Sequence, residues 1–194
     1  RKEGAISYFI ENRERIENIA KAISISERVL FENKELHDFF FNHVTWTKEE
    51  DETRRTGFFI DTLELPAPAK AGFKLFRRWP VLNFMNKLGA SKKVATENTK
   101  TYQSASVVGL ITVPSLNPKD FVRAGRLFQK IWLTATRLGL SLQPMTGVLW
   151  FYHRIQAGEG DIFRTQHIKM IKDAYQIIKN TFRIEDSQRV AMLF

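Results

Sequence analysis

The chain has 194 residues, with a hydrophobic fraction of 43% and a charged fraction of 26%, which is the composition of a globular protein with a sizeable core. It contains no Cys, which excludes disulfides, thiolate nucleophiles and zinc–thiolate sites. No apolar run is long enough to span a bilayer, so we expect no membrane partner and a cytoplasmic location. We predict one domain over residues 1–194, as a fragment of a longer chain.

The first third of the chain alternates one short strand with helices. Residues 5–10 are rich in β-formers, and residues 11–31 place Ile16 and Ile19 at helical spacing. A second helix is predicted over residues 33–44. Thr47 followed by Glu50 matches a capping box, which predicts that the acids of this stretch form a charged first turn and not a catalytic carboxylate pair.

The middle of the chain is strongly basic. Between Lys70 and Lys100 there are eight Lys and Arg residues and one acid, Glu97. We predict short helices here, and residues 66–103 are a candidate lid or interaction arm. Such a patch attracts nucleic acid, anionic lipid or a phosphorylated cofactor, although a solvated basic face explains it as simply. No nucleic-acid-binding motif accompanies the charge, so we expect no nucleic-acid partner.

Residues 104–113 form the strongest predicted strand, because the nearly continuous apolar run is typical of a strand covered on both faces. Gly109 inside it marks a bulge or a close backbone approach. A helix is then predicted from an Asn117 cap, with Pro118 in its first turn, to an exit at Gly139. Its second half is apolar on more than one side, which predicts burial on several sides.

The last part predicts two further helices and a final strand, over residues 148–156, 165–180 and 189–194. The stretch contains no phosphate-loop spacing, and no standard hydrolase, zinc-protease or dinucleotide-binding signature occurs anywhere in the chain. His37 and His43 lie six residues apart, which does not place both on one helical face, so no metal site is expected. No catalytic side chain can be named from the residues alone.

The run AGRLFQKIWLTATRLGLSLQPMTG resembles the FMN-dependent nitroreductase family. In that family a long core helix ends in Leu-Gly-Leu, and a Pro-hydrophobic-Glu-Gly turn lies against the flavin ring. This chain has Pro144, Met145, Thr146 and Gly147 at that place, with Thr in the position of the Glu. The residues Gln143 to Thr146 are more similar to a divergent branch of the family, found fused to ThiF-type adenylating domains or in mycobacterial dormancy-linked nitroreductase-like proteins.

The resemblance implies an α+β fold with a central, mostly antiparallel sheet around a long buried helix, flanked by helices. It implies FMN as cofactor, NAD(P)H as hydride donor and a small molecule as electron acceptor. It also implies a homodimer or fused pseudo-dimer, because the family builds its flavin site between two halves, and an adjoining ThiF-type domain is a candidate partner.

The same resemblance implies the binding residues. The turn from Pro144 to Gly147 would lie on the ring, where its backbone amides face the flavin and Thr146 exchanges a hydrogen bond with N5. Gln143 is a further polar group at that edge. Arg123 corresponds to a helical position that contacts the flavin held by the other half, and an ordinary surface charge is an equal alternative.

One expected feature of the family is missing from the sequence. The family holds the flavin phosphate with an N-terminal Arg-rich motif, and the doublets Arg54-Arg55 and Arg77-Arg78 lack its context. Either that part of the site lies outside this chain, or the flavin is bound weakly or not at all. The alternative function is therefore a non-catalytic nitroreductase-fold module that binds a partner through the basic arm.

Overall fold

The structure, a computed structural model, describes residues 4–194. The chain is α+β, with 63% helix and a small antiparallel sheet, which confirms the fold class at this level. Contacts divide it into two compact units, one formed by Glu27–Val94 and the other by the residues before and after that segment, up to Ser26 and from Ala95. The unit Glu27–Val94 overlaps only part of the arm that the sequence suggested at residues 66–103.

Ten α-helices and five strands follow one another within the described residues, with a short 3-10 helix at Ile60–Leu63 between β3 and α5. In chain order they are β1 (Ile6–Ile10), α1 (Arg13–Ile23), α2 (Ile25–Glu32), α3 (Lys34–Asn42), β2 (Val44–Thr45), α4 (Lys48–Arg54), β3 (Phe58–Phe59), α5 (Ala67–Phe76), α6 (Trp79–Lys87), α7 (Ala90–Gln103), β4 (Val108–Val113), α8 (Pro118–Arg137), α9 (Gly147–Gln156), α10 (Thr165–Phe182) and β5 (Arg189–Leu193). The strands predicted at residues 5–10 and 189–194 are confirmed, and the one predicted at residues 104–113 is present but begins only at Val108.

The unit that contains both chain ends is built on the sheet β1-β4-β5, in which both neighbouring pairs are antiparallel. Every residue of the central strand β4 is buried, as expected for a strand covered on both faces. Gly109 makes the close approach that the sequence indicated. A Cβ at this position would lie 2.2 Å from the ring of Phe194, whose backbone is hydrogen-bonded to Gly109 in both directions.

The core of this unit is largely aliphatic. Helices α1, α9 and α10 contribute residues such as Ile19, Leu149 and Ile178, which are almost completely removed from solvent. The helix predicted over residues 11–31 is interrupted at Ser24, where α1 ends and α2 begins one residue later. The central Leu110 is fully buried and pairs with Tyr8 on one side and Leu193 on the other.

The segment Glu27–Val94 has a core of aromatic rings held by helices. Phe31, Phe41 and Leu82 are buried at its centre, and Phe73 and Trp79 pack around them. Phe31 meets the rings of Phe41 and Phe73 edge-on, with centroids 6.2 and 6.4 Å apart. Strands β2 and β3 form only a two-residue parallel pair.

The capping signals were correct. The side chain of Thr47 accepts from the amide of Glu50 at 3.1 Å, and the Glu50 carboxylate accepts in return from the amide of Trp46. At the start of α8 the Asn117 side chain accepts from the amide of Asp120 at 2.8 Å. These bonds satisfy backbone donors that a helix leaves unpaired in its first turn.

The burial predicted for α8 was wrong. One stripe of this helix, with Ala124 and Phe128, packs against Ile111 and Val113 of the sheet. The opposite stripe is open to solvent, and Leu133 is 64% exposed. The helix therefore lies on a face of the sheet, because the described residues provide a layer for only one of its apolar sides. None of the helices in residues 4–194 is long and apolar enough to cross a membrane.

Candidate functional site

The helix α8 ends in a Schellman arrangement that directs the chain into the proposed turn. Gly139 has the left-handed φ of +71° that was predicted for the exit. Its amide donates to Thr136 O at 3.0 Å, and the amide of Leu140 donates to Ala135 O at 2.9 Å. These two bonds close the last turn, so the following residues leave the helix in a defined direction.

The turn from Gln143 to Gly147 is attached to the sheet by its middle residue. The amide of Met145 donates to Leu193 O at 2.8 Å, and the Met145 side chain packs against the aliphatic core. Gln143 and Pro144 are exposed, while Thr146 is half-buried. One side of the turn is therefore closed by the core and its other side is accessible.

The accessible side coincides with the beginning of α9. Thr146 is the N-cap residue of this helix, but its side chain makes no capping hydrogen bond. The first amides of a helix have no partner within the helix, and they carry the positive end of its dipole. Val148 and Leu149 are fully buried, so the donors that remain for a ligand are the amides of the half-buried Thr146 and Gly147 and the hydroxyl of Thr146.

Gly147 has a packing role that the sequence did not indicate. A Cβ on it would lie 2.9 Å from the Cβ and Oγ of Ser26, which is buried and donates to Ile23 O. Only a residue without a side chain fits this approach between α9 and the start of α2. Gly147 thus fixes the position of the turn, whether or not it also contacts a ligand.

Arg123 lies away from the turn. Its guanidinium forms an ion pair with Asp120 at 2.8 Å, and one of its nitrogens lies beside Gly4, next to Pro114 at the end of β4. A hydrogen bond from Ser115 and the ion pair with Arg123 hold the pKa of Asp120 below its ordinary value. Asp120 thus stays charged and orients Arg123. The turn is attached at a different place, by the bond from Met145 to Leu193, the residue that pairs with Leu110 of β4.

Trp150 is a candidate ligand-contacting residue that the sequence reasoning missed. It lies four residues after Thr146, so its side chain shares a face of α9 with the N-cap and leans towards it. Its indole is 51% exposed, and the Arg154 guanidinium lies 5.3 Å from the ring centroid. The signal available in the sequence was an aromatic residue four positions after Thr146, on the helix that follows Pro144 to Gly147.

The exposed stripe of α8 forms a second feature. The side chains along it all belong to α8 and include the exposed Val122, Trp132 and Leu133. Large apolar side chains left open on one helix are typical of a surface that pairs with another polypeptide. Within residues 4–194, no group of three or more His, Asp and Glu side chains is placed to hold a metal ion.

Comparison with known proteins adds a distant relative. The chain is 22% identical over 149 residues to the uncharacterized protein MT1398 of Mycobacterium tuberculosis (strain CDC 1551 / Oshkosh). This similarity covers 77% of the chain but only 21% of the relative, so the chain spans about a fifth of that protein's length. No family model and no solved structure matches the chain. The name of the relative assigns no activity to it.

Proposed function

We propose that this chain is a nitroreductase-like domain that binds FMN and transfers hydride from NAD(P)H to a small electron acceptor. The observation that supports this function is the donor group at the start of α9, formed by the amides of the half-buried Thr146 and Gly147 and by the Thr146 hydroxyl. The capping oxygen of Thr146 is unused there, and the first amides of the helix lack intrahelical partners. This group follows the long helix that resembles the family.

The residues present fit one part of the cofactor. Flavin supplies the hydride chemistry itself, and the protein binds, orients and tunes it. The amides of Thr146 and Gly147 and the hydroxyl of Thr146 would hold the edge of the ring that bears N5 and the carbonyl oxygens. The positive end of α9 favours negative charge at that edge. The turn itself contains no cation, so the phosphate would need basic groups from another part of the site.

The open stripe of α8 supports the second element of the proposal, a homodimer or a fused pseudo-dimer. Pairing over this stripe would bury Leu133 and Trp132, which are now 64% and 40% exposed. Arg123 makes no approach to the turn of its own chain, but it retains exposed guanidinium surface beyond its ion pair with Asp120. In a paired assembly it is the proposed contact to the flavin of the other half.

Titration with FMN tests the binding site. We expect quenching of flavin fluorescence on binding, and reduction of the bound flavin by NADH or NADPH. Thr146→Val removes one hydroxyl and should weaken FMN binding by roughly tenfold, as expected for one lost hydrogen bond to a bound ligand. Thr134→Val is the control, because its hydroxyl is exposed on α8 and bonds only to Lys130 O. If FMN leaves the fluorescence unchanged, the oxidoreductase function is wrong and the non-catalytic alternative remains.

Sedimentation velocity tests the pairing surface. Leu133→Glu should convert a dimer to monomer, because it places a charge in the centre of the proposed interface, and FMN binding should be lost with it. Leu88→Glu makes the same change at a residue of Glu27–Val94 that is 69% exposed, and it should leave the dimer intact. A wild-type protein that sediments as a monomer and still binds FMN would exclude the paired site.

A further inference from the structure

The segment from Pro66 to Val94 combines two features that the oxidoreductase function does not use. It contains seven Lys and Arg residues and no Asp or Glu. It also carries three large apolar side chains that point into solvent. Leu75 is 51% exposed, Phe84 is 60% exposed and Leu88 is 69% exposed. Cations alone are typical of a solvated face, but exposed Leu and Phe side chains among them need another explanation.

These side chains lie on the faces of α5 and α6 that are directed away from the aromatic cluster. On α6 Phe84 lies opposite the fully buried Leu82, and Leu88 follows it by four residues on the same outer face. On α5 Leu75 points away from Phe73 and Phe76, which pack on the aromatic cluster. Because α5 and α6 contact each other and bury their inner faces in the same cluster, their outer faces are both directed away from it.

Exposed cations lie next to these apolar residues in the sequence. Lys74 precedes Leu75 and Lys87 precedes Leu88, and both lysines are exposed. Arg78, at the turn between the two helices, is also exposed. Two other cations of the segment are engaged elsewhere, since Lys70 is paired with Asp61 and the guanidinium of Arg77 lies over the ring of Trp46. The outer face of α5 and α6 is therefore apolar at three points and positively charged between them.

We propose that the outer face of α5 and α6 binds the surface of an anionic lipid bilayer. Phe84, Leu75 and Leu88 would enter the boundary between headgroups and acyl chains, and Lys74, Lys87 and Arg78 would bind the lipid phosphates and carboxylates. Basic residues beside exposed Phe and Leu side chains are the composition of interfacial helices. This binding is peripheral and needs no membrane-spanning helix, so it departs from the expectation of no membrane partner, which rested only on the absence of a spanning segment.

The apolar side chains favour a bilayer over the other anionic partners. Leucine side chains neither stack on bases nor donate hydrogen bonds, so Leu75 and Leu88 would contribute little to binding a nucleic acid. A protein partner requires rigid shape complementarity around side chains that protrude this far, whereas a fluid bilayer adapts to them. An acidic protein segment and a nucleic acid are therefore outcomes that the experiment must separate from a bilayer.

The test is co-sedimentation of the full chain with phosphatidylcholine vesicles, with and without about one third phosphatidylserine. We expect binding only to the anionic vesicles, and weakening as NaCl rises from about 0.1 to about 0.5 M. Lys74→Gln with Lys87→Gln should reduce the partition coefficient by roughly 30-fold, because each basic residue near an anionic surface contributes about a factor of five.

The apolar contribution is tested separately. Phe84→Ser with Leu88→Ser should reduce vesicle binding by at least tenfold, including the part that resists salt, because the inserted side chains are lost. The matched control is Lys172→Gln with Ile177→Ser on α10, where both residues are exposed and belong to neither proposed surface, and it should bind vesicles as the wild type does. Far-UV circular dichroism checks that every variant is folded, as expected for substitutions at exposed positions.

Three results of the vesicle experiments would overturn the proposal, and a DNA competition adds a fourth. They are equal binding to neutral and anionic vesicles, binding that the serine variant retains in full, and no vesicle binding at all. A short duplex DNA added as competitor distinguishes the polyanions. Displacement of the protein from vesicles by DNA at equal phosphate concentration would show a general polyanion site and would also overturn the proposal.

Discussion

The cores of the two compact units are built from different kinds of side chain, aliphatic in one and aromatic in the other. The sheet-centred unit packs Ile, Val and Leu from helices onto β4, whose neighbours are residues about a hundred positions before it and eighty after it. The segment Glu27–Val94 contains nine of the sixteen Phe residues, and its core joins rings from helices close in sequence. Flat layers favour branched aliphatic side chains, whereas helices that meet at varied angles leave irregular spaces that large rings fill.

This comparison also shows where each unit leaves apolar surface. The aromatic unit exposes Phe84 and Leu88 beside lysines, and the aliphatic unit exposes a continuous stripe of α8. The first pattern consists of single apolar side chains on two helices with several exposed cations, and the second is one stripe along a single helix, with Arg126 as its cation. The two surfaces therefore have different proposed partners, a lipid surface for the former and a second polypeptide half for the latter.

The largest expected effect comes from truncating the centre of each core. Leu110→Ala and Leu82→Ala both remove a fully buried Leu side chain, so each should lower the free energy of unfolding by about 3 kcal/mol. Hydrogen exchange should show the loss of protection for Leu110→Ala in the sheet and for Leu82→Ala within Glu27–Val94. If either variant loses protection equally in both regions, the two cores form one cooperative unit and the comparison fails.

A smaller effect is expected where the sheet excludes a side chain. Gly109→Ala places a Cβ 2.2 Å from the Phe194 ring, so we expect a loss of about 2 kcal/mol in the free energy of unfolding, measured by urea denaturation. The same substitution should cost much less in a Phe194→Ala background, because the clashing ring is gone. Additive costs in the double variant would mean that the backbone at Gly109, and not Phe194, imposes the requirement.

The smallest effect is the pH dependence that His153 gives to the sheet-centred unit. Burial lowers the pKa of His153 below its ordinary value, and the bond from its Nε2 to Val190 O at 2.9 Å partly offsets this. The unfolded chain therefore takes up this proton at a higher pH than the folded chain does. The stability from the neutral buried ring is complete above about pH 6.5 and is lost as the pH falls through the unfolded value towards the folded one.

His153→Gln should accordingly flatten the rise in unfolding free energy between about pH 5 and pH 7, measured by urea denaturation at several pH values. The Nδ1 of His153 is buried and has no hydrogen-bond partner within the described residues, so no neighbouring carboxylate there opposes the shift. An unchanged pH slope in the variant would show that His153 is as easily protonated in the folded chain as in the unfolded one.

Local sequence signals determined much of this protein. The caps at Asn117 and Thr47, the left-handed exit at Gly139 and the close approach at Gly109 were all predicted, because each depends on the chemistry of one residue and a few neighbours. The three main strands and most helices were located for the same reason. The position of an accessible turn after α8 also followed from these signals.

Tertiary structure decided which apolar faces are covered. The second half of α8 has the composition of a buried helix, yet Leu133 is exposed, because burial depends on how many layers surround a helix and not on its own sequence. The same holds for Gly147, whose requirement comes from Ser26 more than a hundred residues earlier, and for Arg123, which is paired with Asp120 away from the turn. Contacts between distant residues depend on how the whole chain packs, and periodicity and residue type alone do not contain that information.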